Sequence, residues 1–275
     1  MSLHPRTPPP SGWASSPSLS TDEWHLIEGT ASPLNIAPEW PSLWIVAHGT
    51  LAMQARDSEW SLGAGEAQLW RGGAVLARPV QDARWFCLTG DLRAWQRELT
   101  LARDEEPLPW RADDCHALAQ ALDAMRGHRT ALHEVLFERQ QEIAAYLPRC
   151  RGRTARHRRQ TLLRLLHLHH LMRCHLDTDD EAMVDVAWLA ERAHYSSGHL
   201  IRLHRDVFGE TPGEYVSRLR DQRAWHLVRE TDLPVVAITH KLGFESQSAF
   251  CRAFKHAFGM TATQARRGED SVCAA

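Results

Sequence analysis

Residues 235–259, VVAITHKLGFESQSAFCRAFKHAFG, decide how this chain is read. Val235, Ile238 and Leu242 recur at three- and four-residue spacing, which marks a short helix with one apolar side. The pattern stops at Gly243, a residue that enters the left-handed region without the steric cost of a β-carbon. Phe244-Glu245-Ser246 then leads into a helix expected from Gln247 to Phe258, and the Ser246 hydroxyl can cap its unpaired N–H groups. The same device stands upstream. Val186, Leu189, Ala190 and Ala193 share one side of a short helix, His194-Tyr195-Ser196 makes the turn, and a helix is expected from Ser197 to Val207, capped by Ser196. Between the copies, Thr211-Pro212-Gly213-Glu214 is a capping box with proline at the first helical position. It opens a helix to about Glu230 with Tyr215, Val216, Leu219, Ala224, Leu227 and Val228 as its apolar positions. Helix, tight turn, helix is thus written twice and joined by a rod.

The residues that fill this frame are Leu189-Ala190, Leu200, Arg202-Leu203, Gly209, Pro212, Tyr215, Arg220, Ala224, Leu227, Thr231-Asp232, Ile238, Gly243-Phe244, Ser246-Gln247-Ser248, Phe250, Arg252-Ala253-Phe254-Lys255 and Phe258-Gly259-Met260. Together they resemble the DNA-binding domain of the AraC/XylS family of bacterial transcription regulators. The second copy is the more specific match. His204 stands where the family usually has phenylalanine, Asp221 where it has an aliphatic residue, and Ala262 and Ala265 where it closes with proline and tyrosine.

The resemblance implies an α+β chain: an N-terminal cupin-like β-barrel sensor with a helical dimerisation segment, then an all-α domain of two helix-turn-helix motifs joined by a linker helix. The expected boundaries are a disordered tail over 1–20, sensor and dimerisation over 21–148, a basic linker over 149–160 and the DNA-binding domain over 161–270. It also implies the groove-facing positions of the recognition helices. In the first copy these are Ser197, Gly198, Ile201 and Arg202, and in the second Gln247, Ser248, Cys251 and Arg252. An arginine there can pair bidentately with guanine O6 and N7, and Gln247 with adenine N6 and N7. Ser196, Arg205, Arg218, Ser246 and Lys255 are the phosphate-contact candidates, which set register rather than sequence.

Charge is divided in the same sense. Residues 1–148 carry 12 Arg against 19 Asp and Glu, whereas 149–275 carry 20 Lys and Arg against 15 acids, so a net of −2 hides an acidic half and a basic one. A basic half suits a partner made of phosphates. The six cysteines are dispersed without paired metal spacing, as in a reducing compartment, and no apolar run approaches the ~20 residues that span a bilayer. A cytoplasmic protein is expected.

The first twenty residues, with Pro8-Pro9-Pro10 and almost no aliphatic side chains, cannot offset the entropy of ordering. From about Asp22 the chain breaks into short apolar pieces punctuated by glycine: Leu43 to Ala47, Leu51 to Ala55, Gln68 to Trp70, Ala74 to Ala77 and Arg84 to Leu88. Strands of that length indicate a sandwich or barrel. His48 is the lone histidine on these strands and no metal set is assigned to it. Trp44, Trp70 and Trp85 lie in the expected strands; they either fill the core or line an aromatic pocket for a small effector, with Arg71 and Arg84 placed to hold an anionic one.

Helical periodicity follows over Leu92 to Arg103, Asp113 to Met125 and Thr130 to Leu147. In the last, Leu132, Val135, Leu136 and Ile143 form a stripe that serves a homodimer or packs on its own barrel. The run 149–159 is read as linker, solvated or touching phosphate. A buried helix is expected from Gln160 to Leu176, where His167, His170 and Cys174 share one side and either bind zinc or copper or sit at a wet edge. No cofactor is implied. The expected partners are double-stranded DNA, a small-molecule effector, a second subunit and, for an activator, RNA polymerase. An enzyme fused to a DNA-binding module and an interaction protein that kept its helix pairs as a relic are the rival classes.

Overall fold

The computed structural model describes residues 23–29, 31–113, 115, 119, 122, 129–177 and 185–267. The expected tail over 1–20 and most of the helix expected over 113–125 lie outside the described residues. The chain divides into two compact units, Met1–Pro148 and Arg149–Ala275.

The first unit holds the strands β1 (His25–Gly29), β2 (Leu34–Ile36), β3 (Ser42–Gln54), β4 (Glu59–Gly63), β5 (Ala67–Trp70), β6 (Val75–Thr89) and β7 (Trp110–Ala112). They pair antiparallel in the order β1-β6-β3-β5-β7, with β2 on β6 and β4 on β3. The end strands β1 and β7 are not paired with each other among the described residues, so the expected closed barrel is instead an unclosed sheet that fits a cupin-like domain only loosely.

Two pairs of expected strands prove to be two long ones. Leu43 to Ala47 and Leu51 to Gln54 of the two expected pieces belong to β3, which continues through register shifts on either side of His48, with Gly49 at φ 70°. The extra residue of β3 falls between Val46 and His48 and the extra residues of β6 fall opposite Gly49, so the irregularity bends the paired strands without ending them. The expected pieces Ala74 to Ala77, from Val75 onward, and Arg84 to Leu88 merge likewise into β6.

Alternation along the strands sorts the buried side chains. Leu43 and Ile45 on β3 and Phe86 and Leu88 on β6 join one core with Trp24, Trp95, Leu132 and Leu136. Helix α1 (Leu92–Glu98) supplies Trp95, and α2 (Arg129–Ala144) supplies Leu132 and Leu136. Trp44 and Trp85 point to the opposite face, buried, with ring centroids 5.6 Å apart. Helix α1 ends short of the expected Arg103, where Thr100 takes φ 53°.

The second unit is helical: α3 (Ala155–Asp177), α4 (Val186–Ala193), α5 (Ser197–Phe208), α6 (Pro212–Glu230), α7 (Val235–Lys241), α8 (Gln247–Phe258) and α9 (Ala262–Arg266). Helix α3 starts ahead of the expected Gln160 because the Thr154 hydroxyl accepts from the His157 N–H at 3.2 Å, so half of the expected linker is helix. Leu162, Leu165, Leu168, Leu171 and Met172 on α3 are buried. A second core gathers Val228 from α6, Ile238 and Leu242 around α7, Phe250 and Phe254 from α8, and Ala262 and Ala265 from α9. The two alanines that replace the family's proline and tyrosine are thus core residues. Among the described residues no helix is long and apolar enough to cross a membrane.

Candidate nucleic-acid interface

The two helix pairs are built from matching parts fifty residues apart. Ser196 caps α5 through the His199 N–H at 3.4 Å, and Ser246 caps α8 through the Ala249 N–H at 3.1 Å. Both helices run twelve residues and end on a phenylalanine, with Gly209 (φ 84°) and Gly259 (φ 71°) as left-handed caps. Capping boxes follow each: Thr211 with Glu214 at the start of α6, and Thr261 with Gln264 at the start of α9. The second box is not among the expected helix starts, although Thr261-x-x-Gln264 carries its local signature.

The turns inside the pairs share a mechanism and differ in residue. After α7, the Phe244 N–H reaches back to the Thr239 carbonyl at 3.0 Å with Gly243 at φ 68°. After α4, the Tyr195 N–H reaches the Ala190 carbonyl at 2.8 Å, and the left-handed residue is His194 at φ 57°. This is the Schellman closure, normally given to glycine because a β-carbon crowds the following carbonyl.

Each second helix sinks one side and exposes the other. Leu200 and Leu203 on α5 and Phe250 and Phe254 on α8 are buried, and Phe258 packs at the edge of its core. Gly198, Arg202 and Arg205 face solvent and Ser197 and Ile201 are half-buried; on α8, Gln247, Ser248, Cys251, Arg252 and Lys255 all face solvent. The caps Ser196 and Ser246 are exposed as well. Arg202 and Arg252 occupy the same position in the two helices. Neither has an ion-pair or hydrogen-bond partner among the described residues, and a β-carbon on Gly198 would lie 3.6 Å from Arg202 Nη1, so this guanidinium reaches back over the first turn.

Arg205 and Arg218 differ from them. Arg205 donates to both Glu214 oxygens at 3.2 Å, and Arg218 donates to Glu210 at 2.7 Å while its guanidinium lies 5.0 Å from the Tyr215 ring centroid. Hydrogen bonds from Thr211 and then from Arg205 hold the Glu214 carboxyl down at about 2. These two phosphate candidates are already engaged with carboxylates, and a phosphate would have to displace them. Rod α6 is one continuous helix of 19 residues, ~28 Å at 1.5 Å per residue. Asp221 on it is half-buried, and desolvation raises its carboxyl against the lowering pull of Arg220 and His256.

The other candidate groups fall elsewhere. Cys174 Sγ and His170 Nε2 come to 3.4 Å, both buried, while His167 is exposed, and no group of three His, Cys, Asp or Glu among the described residues is arranged to hold a metal ion. The dimerisation candidates Leu132 and Leu136 are buried in the chain's own core, with Val135 and Ile143 packed against it. Of the effector candidates, Trp44 donates to Ser42 Oγ at 2.9 Å and Trp70 to the Gly73 carbonyl at 2.8 Å. Arg71 pairs with Glu106 and Arg84 with Glu28. The Trp85 N–H is buried with no partner among the described residues.

Two helix pairs, each with a second helix that buries an apolar side and turns a polar, arginine-bearing side outward, define a helix-turn-helix fold. The comparisons narrow the class. The helix-turn-helix domain family matches residues 189–268. The probable transcription factor PqrA of Proteus vulgaris is 35% identical over 83 residues, 30% of this chain and 68% of that protein. The RCS-specific HTH-type transcriptional activator RclR of Escherichia coli (strain K12) is 41% identical over 73 residues, 26% of each chain. The chain therefore spans about a quarter of the length of the first curated relatives it matches. A solved transcriptional regulator of AraC type from Chromobacterium violaceum is 25% identical and covers 40% of this chain and 94% of its own, with a TM-score of 0.35. The chain belongs to the AraC family of transcriptional regulators.

Proposed function

We propose that this protein activates transcription by reading a bipartite, non-palindromic site, with α5 and α8 entering successive major grooves on one face of the duplex. The observation that carries this reading is the matched pair Arg202 and Arg252, exposed and unpartnered among the described residues at one position of two repeated helices. Two such helices on a stiff rod suit half-sites about 34 Å, or one helical turn, apart. Ile201 and Gly198 have no polar reach, so α5 reads chiefly through Arg202, with a thymine methyl as its apolar contact. Gln247, Ser248 and Arg252 give α8 the richer donor set.

The first unit is proposed as the sensor of a small-molecule effector, on the face of the sheet that carries Trp44 and Trp85. Support comes from the Trp85 N–H, since a buried donor without a partner is uncommon and can be satisfied by a ligand. Arg71 and Arg84, held by carboxylates, favour an effector that is not a simple anion. The test is selection of duplexes from a random-sequence pool by the full-length chain. Enrichment of two short motifs spaced by about one turn is expected, and a pool left without any enriched sequence would defeat the reading.

A further inference from the structure

Between Glu142 and Asp177 the chain carries eight arginines and five histidines and no acidic residue. The first part of this run does not trail free. Cys150 is buried, and burial pushes its thiol up to about 11. Arg149 donates to the Val207 carbonyl at 3.4 Å, Arg151 pairs with Asp206 at 2.7 Å, and the Arg151 carbonyl accepts from Thr161 Oγ1 at 3.4 Å. A β-carbon on Gly152 would stand 2.9 Å from the Arg158 backbone nitrogen, so this bend needs glycine to lie against the first turn of α3. Residues 149–154 are thus a folded arm, held to the C-terminal half of α5 by Arg149 and Arg151, that runs directly into the first turn of α3.

The place where it docks matters. Asp206 is exposed on α5, one helical turn beyond Arg202 and next to Arg205. Arg153 and Arg156, two and five residues past the Arg151 anchor, are exposed and have no ion-pair or hydrogen-bond partner among the described residues. Within five residues of the contact that Arg151 makes with the helix assigned to a major groove, the chain thus carries two guanidinium groups with no partner among the described residues, and a duplex borders that groove with phosphates.

We propose that the arm 149–154, together with the first turn of α3 that follows it, is a third DNA-contacting element, in which Arg153 and Arg156 neutralise phosphates flanking the half-site read by α5. It rests on the reading of α5 as a groove-entering helix. The contact is with the backbone alone, so it adds affinity and length of footprint but no base preference. The test is the affinity of the full chain, over a range of sodium chloride concentrations, for a duplex that it enriches from a random-sequence pool. Replacing both residues (Arg153→Gln with Arg156→Gln) should reduce the slope of log Kd against log salt by about two, since each lost phosphate contact removes about 0.9. The enriched bases should stay the same, and the protected region should shorten on one side. Lysine at both positions should restore the slope, which separates lost charge from a disturbed arm. A slope unchanged by the glutamine pair, or equally reduced by the lysine pair, would overturn the proposal while leaving α5 and α8 as readers. A wild-type chain that binds no duplex would overturn the wider reading instead.

Discussion

His169 Nε2 on α3 and His204 Nε2 on α5 lie 2.9 Å apart, and the other nitrogen of His204 lies 2.6 Å from the Glu210 carbonyl. These contacts assign both tautomers. A carbonyl can only accept, so His204 Nδ1 carries the proton and its Nε2 is the acceptor; His169 then donates from Nε2. His169 is stacked on Tyr215 at 3.9 Å and packed on Phe208 at 4.3 Å, so the pair ties α3, α5 and α6 at the base of the first helix pair. It fills the position where the family usually keeps phenylalanine.

Protonating His204 at Nε2 would set two N–H groups against each other, and charging His169 would place a cation in an apolar, arginine-flanked site. Burial lowers the pKa of His169 well below its ordinary value, with His204, Arg173 and Arg218 adding to the shift. Burial also lowers that of His204, against the raising effect of the Glu210 carbonyl and the carboxylates of Glu210 and Glu214. With both folded values depressed, the unfolded chain binds more protons below about pH 6.5, so the stability contributed above that pH is lost as pH falls through it towards the folded values. Denaturant unfolding between pH 8 and pH 5 should show this decline. In His204→Phe it should be flatter, with stability at pH 8 within about 1–2 kcal/mol of wild type. Parallel pH profiles for the two proteins would refute the neutral pair.

Arg252→Ala should relax base preference at one position by about 1–3 kcal/mol and leave the melting temperature unchanged, because this exposed side chain holds nothing else among the described residues. Arg202→Ala should do the same in the other half-site. Binding profiles on single-base variants of the enriched duplex decide it, and a uniform loss across all variants would make these arginines phosphate contacts.

The two turns predict opposite responses to one kind of change. Gly243→Ala introduces a β-carbon at φ 68° and should cost about 1 kcal/mol, whereas His194→Gly removes one at φ 57° and should gain a few tenths to about 1 kcal/mol. Thermal unfolding of the two variants checks the signs.

Leu136, fully buried in the first unit's core, should cost about 2–5 kcal/mol when cut back to alanine. That loss should be the same at every protein concentration. A loss that shrinks as the protein is concentrated would instead mean that this side chain sits between subunits.

The second helix pair was legible in residue order because its signals are local. Val235, Ile238 and Leu242, the glycine at 243 and the serine at 246 act within one or two turns, so spacing alone declares helix, stop and cap. The burial of Leu200, Phe250 and Phe254 beneath the outward arginines follows from the same period. Long-range pairing could not be read that way. Gly49 looks alike as a hairpin turn or as a residue inside a strand, and only the pairing of β3 with β6 on both sides of it shows that the strand runs on. His169 and His204, 35 residues apart, become a pair only once α3 packs on α5. Helix packing likewise brings Arg205 to Glu214 and Arg218 to Glu210, while Arg202 and Arg252 are left without an ion-pair or hydrogen-bond partner among the described residues. Propensity and capping are properties of neighbours along the chain; which charges are neutralised, and which strands join, depends on neighbours in space.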